Sequence, residues 1–205
     1  MMEEEFVSRI RLATELATKK IMAIHRKSKD DNYKVNSKDK NAIFEYESLF
    51  RAMIYHELMM LGIYFGDVTM DNPIDSKKGE IINKKPDIWI ENTEKGESYA
   101  LEIKTIRQNK KTSIIDDINS DKRNSIVGDI KKLSAAMRDD PFKLKGIMVI
   151  SFHSPNYTEK ENPVDVMDNG IRKIVKKIKP PHDFIIMLCS EDFCRVLHAG
   201  EILKK

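Results

Sequence analysis

The segment "KKPDIWIENTEKGESYALEIKT" puts Asp87 directly after a proline, with Glu102 and Lys104 further along the same stretch. Two carboxylates and an ammonium can hold a divalent cation and steady charge on a phosphate or an attacking water. Whether they meet depends on local structure. "DIWIE" and "SYALEIKT" are rich in strand formers and flank the turn-forming "NTEKG", which predicts a hairpin. Symmetric pairing sets Glu91 opposite Ser98, Trp89 opposite Ala100 and Asp87 opposite Glu102. Alternation then puts Asp87, Trp89, Ala100, Glu102 and Lys104 on one face. Ile88, Ile90, Tyr99, Leu101 and Ile103 take the other, the expected core face.

Like charges directly opposite on a sheet repel, and a one-residue slip would separate these two. A divalent cation between them turns the repulsion into binding. Lys104 would then orient or deprotonate a metal-bound water, or stabilise charge on a phosphate. The competing reading is a solvent-facing hairpin with scattered charges. Acid-x-lysine triplets also occur at Asp75-Ser76-Lys77 and Asp129-Ile130-Lys131. The first reads as loop and the second as helix. Only Glu102-Ile103-Lys104 lies on a predicted strand preceded by a strand opening with Asp.

The surrounding elements follow from periodicity. Residues 3–26 predict an amphipathic helix, 26–40 a charged linker, and 42–61 a second helix stopped by Gly62. "IYFGDVTM" reads as a strand and 107–123 as a polar loop. "SIVGDIKKLSAAM" reads as a helix with Ile126, Ile130, Leu133 and Met137 on one face, "GIMVISF" as a buried strand, "VMDNGIRKIVKKI" as a helix and "DFIIML" as a last buried strand. The tail from Ser190 is left unassigned. The order predicts an α/β layered fold with a mixed sheet. It divides into an N-terminal helix and linker (1–40) and a main domain (41–205).

Pro86-Asp87 and Glu102-Ile103-Lys104, set in "PDIWIE" and "YALEIKT", resemble the PD-(D/E)xK nuclease superfamily, also called restriction-endonuclease-like. The element order over 42–187 is similar to that family's core, with residues 1–40 an extension. The resemblance implies a restriction-endonuclease-like fold and metal-dependent hydrolysis of DNA phosphodiester bonds. Asp87 and Glu102 would bind Mg²⁺, with Mn²⁺ as a substitute, the Ile103 carbonyl would add a contact, and Lys104 would position the water.

The resemblance also implies a glutamate from the first core helix. At ~100° per residue, Glu47 and Glu57 fall near the apolar stripe of Ile43, Phe50, Ile54 and Leu61, and Glu45 points away. Glu47 is preferred and Glu57 kept as the alternative. A salt bridge from Glu47 to Arg51 is the competing reading. Arg107, Gln108, Lys110 and Lys111, just after Lys104, are candidates for phosphate contact, against a plain solvated loop. Asp129 and Lys132 resemble a "D-x-x-K-L" of relatives. Lys132 is a candidate DNA contact, with a helix-surface ion pair as its alternative.

Composition narrows the field. The chain has 205 residues, 34% of them charged, with 36 basic and 33 acidic, so net charge alone does not indicate nucleic acid. Cys189 and Cys194 fit no zinc spacing and are expected as core thiols in a reducing cytoplasm. No apolar run is long enough for a membrane span. His56-Glu57 lacks the second histidine of a zinc protease, because Met60 stands there. The expectation is therefore a cytoplasmic Mg²⁺-dependent DNA endonuclease with a restriction or defence role, acting as a homodimer or with a partner protein. A non-catalytic nucleic-acid-binding or assembly protein, and a nuclease for RNA or branched DNA, are the alternatives.

Overall fold

The computed structural model describes residues 2–30, 41–63, 68–70, 86–92, 96–106, 114, 118, 125–139, 144–153 and 162–204. Helix α1 (Met2–Asp30) buries Val7, Ile10, Ala13, Ala17 and Ile21, which recur every three or four residues. Helix α2 (Asn41–Met60) buries Phe50, Ile54 and Leu58 in the same way. The chain leaves α2 through Gly62 at φ +84°, a left-handed conformation that suits a residue without a side chain.

Six strands form one sheet in chain order: β1 (Val68–Met70), β2 (Ile88–Asn92), β3 (Glu97–Ile106), β4 (Leu144–Phe152), β5 (Ile185–Cys189) and β6 (Cys194–His198). β3–β4 and β4–β5 are parallel, and β1–β2, β2–β3 and β5–β6 are antiparallel. The parallel steps need crossovers. Helix α3 (Ile126–Asp139) lies between β3 and β4, and α4 (Pro163–Ile178) between β4 and β5. Asn162 caps α4 by accepting from the Val164 amide, with Pro163 at the first turn. A short helix α5 (Ala199–Leu203) follows β6. The chain is thus α/β, with a mixed sheet between helices.

The core has two halves, one on each face of the sheet. Ile88, Ile90, Tyr99, Leu101, Ile103, Ile147 and Val149 pack with α1 and α2. Ala100, Met148, Ile150, Ile186 and Leu188 pack with α3 and α4, and Trp89 packs against that cluster. β4 is therefore apolar on both sides, as a central parallel strand must be. The hairpin expectation of one core face is corrected here. The face that carries Glu102 and Lys104 is also covered, by α3.

The observed register pairs Glu91 with Ser98, Trp89 with Ala100 and Ile88 with Leu101. The paired register ends at Ile88–Leu101, and Asp87, just before β2, accepts from the Ile103 amide and lies close enough to Glu102 to act on its charge.

Three other expectations change. Residues 107–123 read as polar loop, yet Ile114 and Ile118 are helical and buried against α3 and α4. Their four-residue spacing in a charged segment is the only trace of this. The unassigned tail supplies β6 and α5. Cys189 and Cys194, expected as free thiols, face each other across β5–β6 and are joined in a disulfide. Their spacing of five carries no such signal until a tight β5–β6 turn brings them opposite.

The linker expected at 26–40 is helical as far as Asp30, and residues 31–40 lie outside the described residues. Across that division the core is continuous, since α1 shares the α2 cluster. No helix among the described residues is long and apolar enough to cross a membrane.

Candidate functional site

The charged groups gather at the open end of the β2–β3 hairpin, where the two helical layers meet. α2 contributes Glu47 and Arg51, one turn apart. The chain entering β2 contributes Asp87, and β3 contributes Glu102 and Lys104. α3 contributes Asp129 and Lys132. Each α3 residue is there because α3 must cover the Ala100 face of β3. Asp129 stands three residues after Ile126 and four before Leu133, so it lies on the buried stripe of the helix.

Asp87 is held at both oxygens. Its Oδ2 accepts from the Ile103 backbone N–H at 2.7 Å, and its Oδ1 from Arg51 Nη1 at 3.1 Å. Lys104 Nζ lies 3.2 Å from Glu47 Oε1 and 3.3 Å from Asp129 Oδ2, so this one ammonium ties the two helical layers together. Lys132 Nζ donates to Glu102 Oε1. Glu102 is only 4% exposed and Asp129 8%. Charges this far from water need partners, and every carboxylate here has one.

The protonation states follow from this packing. Burial, and then the Asp87 carboxylate, push Glu102 up from 4.5 to about 7, against the pull of Lys132. Burial raises Glu47 and Asp129 above the ordinary carboxylate range, with Lys104 opposing it in both. Burial works to lower Lys104, but Glu47, Asp129 and Asp87 outweigh it and hold the amine above its ordinary value. Lys104 is therefore an ammonium at neutral pH. It can donate and stabilise negative charge, and it is unsuited to removing a proton. Of the three roles open to Lys104 from sequence, the charge state disfavours deprotonating a water and favours orienting one or stabilising charge on a phosphate. Glu102, poised near neutrality, is the group able to exchange a proton there.

The cluster is a set of oxygen donors with no nitrogen or sulfur ligand among them, the chemistry suited to Mg²⁺ rather than to zinc. Among the described residues, no three acidic, histidine or cysteine side chains converge closely enough to hold a metal ion by themselves. A cation would rest on the Asp87–Glu102 pair with water completing its shell. It would then take over charge neutralisation that Arg51 and Lys132 supply to those two carboxylates. Burial first, and then the Asp87 charge, raise Glu102, and a bound cation would offset both, so the pair fits the group.

The expected residues separate clearly. Asp87, Glu102, Lys104, Glu47 and Lys132 come together. Ile103 enters through its amide, bonded to Asp87. Glu47 turns to Lys104, and Arg51 turns to Asp87, in place of the Glu47–Arg51 bridge considered from sequence. Glu57 is elsewhere, paired with Lys20 of α1. Lys132 is not a surface ion pair, because its side chain is buried on Glu102. Arg107, Gln108, Lys110, Lys111 and the Glu45 side chain lie outside the described residues.

Two participants escaped sequence reasoning as site members. Asp129 was readable as an acid on an apolar helical stripe, the same argument that favoured Glu47. Arg51 was legible only as a partner for Glu47. No protein-family model, curated protein or solved structure matches this chain.

Proposed function

We propose that the chain is an Mg²⁺-dependent endonuclease that hydrolyses DNA phosphodiester bonds, with a restriction-endonuclease-like core. The observation that carries this is the β2–β3 register. It ends beside Asp87, whose carboxylate accepts from the Ile103 amide and acts on Glu102, with Lys104 two residues on and held by α2 and α3. Asp87 and Glu102 would hold the ion. When bound, Mg²⁺ supplies a water of lowered pKa and polarises the phosphate.

The chain's own residues do the rest. The Arg51 guanidinium and the Ile103 amide fix the Asp87 carboxylate. Lys104, clamped by Glu47 and Asp129, presents a fixed positive charge to the negative charge that develops on phosphate oxygens. Glu47 acts in this reading through Lys104 first, and as an ion ligand only after Lys104 shifts. Lys132 releases Glu102 and becomes available to a phosphate. A cytoplasmic setting and a defence role remain part of the proposal.

The test is a substrate panel of supercoiled plasmid, linear duplex, single-stranded DNA and RNA, each with Mg²⁺ or with EDTA. The proposal expects plasmid and duplex cleavage with Mg²⁺ only, lost in Lys104→Ala. No cleavage of any substrate, or equal cleavage by Lys104→Ala, rejects it.

One observation favours a second reading, a non-catalytic nucleic-acid-binding protein: each site carboxylate already has a protein cation or amide as partner. That reading expects no Mg²⁺ binding at the site and nucleic-acid binding unchanged by Asp87→Asn.

A further inference from the structure

α3 has a second face. Val127, Lys131, Ser134 and Arg138 follow one another every three or four residues and point away from the site. With Lys173, Ile174, Lys177 and Ile178 of α4 they line an open groove of about 650 Å³. Each wall carries two cations, and among the described residues the lining includes no acid. Their clustering sets these cations apart, since Lys19, Lys176 and Lys179 also lack a carboxylate partner among the described residues. Across the described residues, Arg9, Lys20, Arg51, Lys104, Lys132, Lys145, Arg172 and Arg195 all sit on carboxylates. Lys131, Arg138, Lys173 and Lys177 have no carboxylate partner among the described residues, and Arg138 donates to the Lys179 carbonyl at 2.9 Å.

In a chain with 36 basic and 33 acidic residues, four cations in one groove with no carboxylate partner among the described residues are a local departure from balance. Helix dipoles account for Lys177 and Arg138, which stand in last turns, but not for Lys131 or Lys173 in mid-helix. The apolar floor of Val127, Ile174 and Ile178 suits the hydrocarbon stems of the lysines and leaves the ammonium groups at the rim. Among the described residues no aromatic side chain lines the groove, so those residues offer phosphate contact rather than base stacking. What it offers is a double row of positive charge, spaced roughly 6 Å apart on α4 and roughly 10 Å apart on α3 along the helix axes.

We infer that the α3–α4 groove docks the phosphate backbone of nucleic acid, on a surface separate from the Asp87–Glu102–Lys104 cluster. The inference rests on the reading that the chain acts on nucleic acid, and it extends the contact surface beyond the reacting phosphate. Phosphate contacts of this kind position a duplex without reading its sequence.

The experiment measures binding of the full chain to a fluorescein-labelled DNA duplex by anisotropy, in EDTA, across a salt series. Wild type is compared with Lys173→Glu/Lys177→Glu and with a control of equal charge change on α1, Arg11→Glu/Lys19→Glu. The groove variant should bind at least tenfold more weakly, and its slope of log affinity against log salt should fall by about two. The control should bind as wild type does. The milder Lys173→Gln/Lys177→Gln pair should change the slope in the same direction, which guards against a folding defect in the first variant. Labelled polyglutamate serves as a second polyanion.

Wild-type affinity and slope in the groove variants, or equal loss in the control, overturns the inference. Binding of polyglutamate but not of duplex overturns it in favour of an acidic protein segment. Because no cleavage is needed, a wild type that binds in this way and cuts nothing with Mg²⁺ supports the groove and rejects only the catalytic reading.

Discussion

The two faces of α3 carry the same residue types to opposite ends. Asp129 and Lys132 face the sheet, buried, and each meets a charge of opposite sign on β3. Lys131 and Arg138 face outward, exposed, with no carboxylate partner among the described residues. Lys131 and Lys132 are sequence neighbours, yet one is part of a closed network and the other part of an open surface. The difference teaches that pairing and burial, rather than charge count, separate a closed charged network from an open charged surface. Buried charges fix geometry because each constrains the next. Exposed ones act in sum, and salt screens them.

The largest expected contrast is catalytic. Lys104→Ala should slow Mg²⁺-dependent DNA cutting by about 10²- to 10³-fold, the range typical for a fixed charge that stabilises a transition state. Lys131→Ala should change it by no more than a few-fold, in rates measured at saturating DNA.

Stability should split the same neighbours. Lys132→Ala strands Glu102 in a buried setting and should lower unfolding free energy by about 3 kcal/mol, seen in urea melts. Lys131→Ala should stay within about 0.5 kcal/mol of wild type. Equal losses in both would erase the distinction.

pH gives the next contrast. The folded Glu102 value of about 7 stands above the ordinary 4.5, so between those values the folded chain holds a proton that the unfolded chain has lost. Its contribution to stability is complete below about pH 4.5 and falls away as pH rises through 7, by about 3 kcal/mol in all. Glu102→Gln should flatten that part of the profile of thermal midpoint against pH, and Lys131→Gln should leave it intact.

The smallest effect expected is that of the ion itself. Each tenfold excess of Mg²⁺ over its Kd should stabilise the chain by about 1.4 kcal/mol. The gain should be larger at pH 8 than at pH 6, where the proton on Glu102 competes, and absent in Asp87→Asn.

Much of this was legible in the sequence. Strand alternation and a symmetric turn were enough to pair Glu91 with Ser98 and Trp89 with Ala100. The choice between Glu47 and Glu57 depended on where α1 packs, because Lys20 takes Glu57, and helical phase says nothing about a neighbouring helix. Lys132 was a candidate DNA contact through the "D-x-x-K-L" resemblance, with a helix-surface ion pair as the alternative, and the docking of α3 over Ala100 seats it on Glu102. The disulfide lay hidden for a similar reason: Cys189 and Cys194 meet through cross-strand pairing, which a spacing of five does not announce. Local patterns carried the elements and their faces, and the packing of one layer on another decided which charges met.

The most direct test is plasmid nicking by wild type and Asp87→Asn across an Mg²⁺ titration at pH 8. The account predicts nicking by wild type that rises with Mg²⁺ and vanishes in EDTA, and a rate at least about 100-fold lower in Asp87→Asn. No nicking by wild type at any Mg²⁺ concentration, or equal rates for the two proteins, would contradict it.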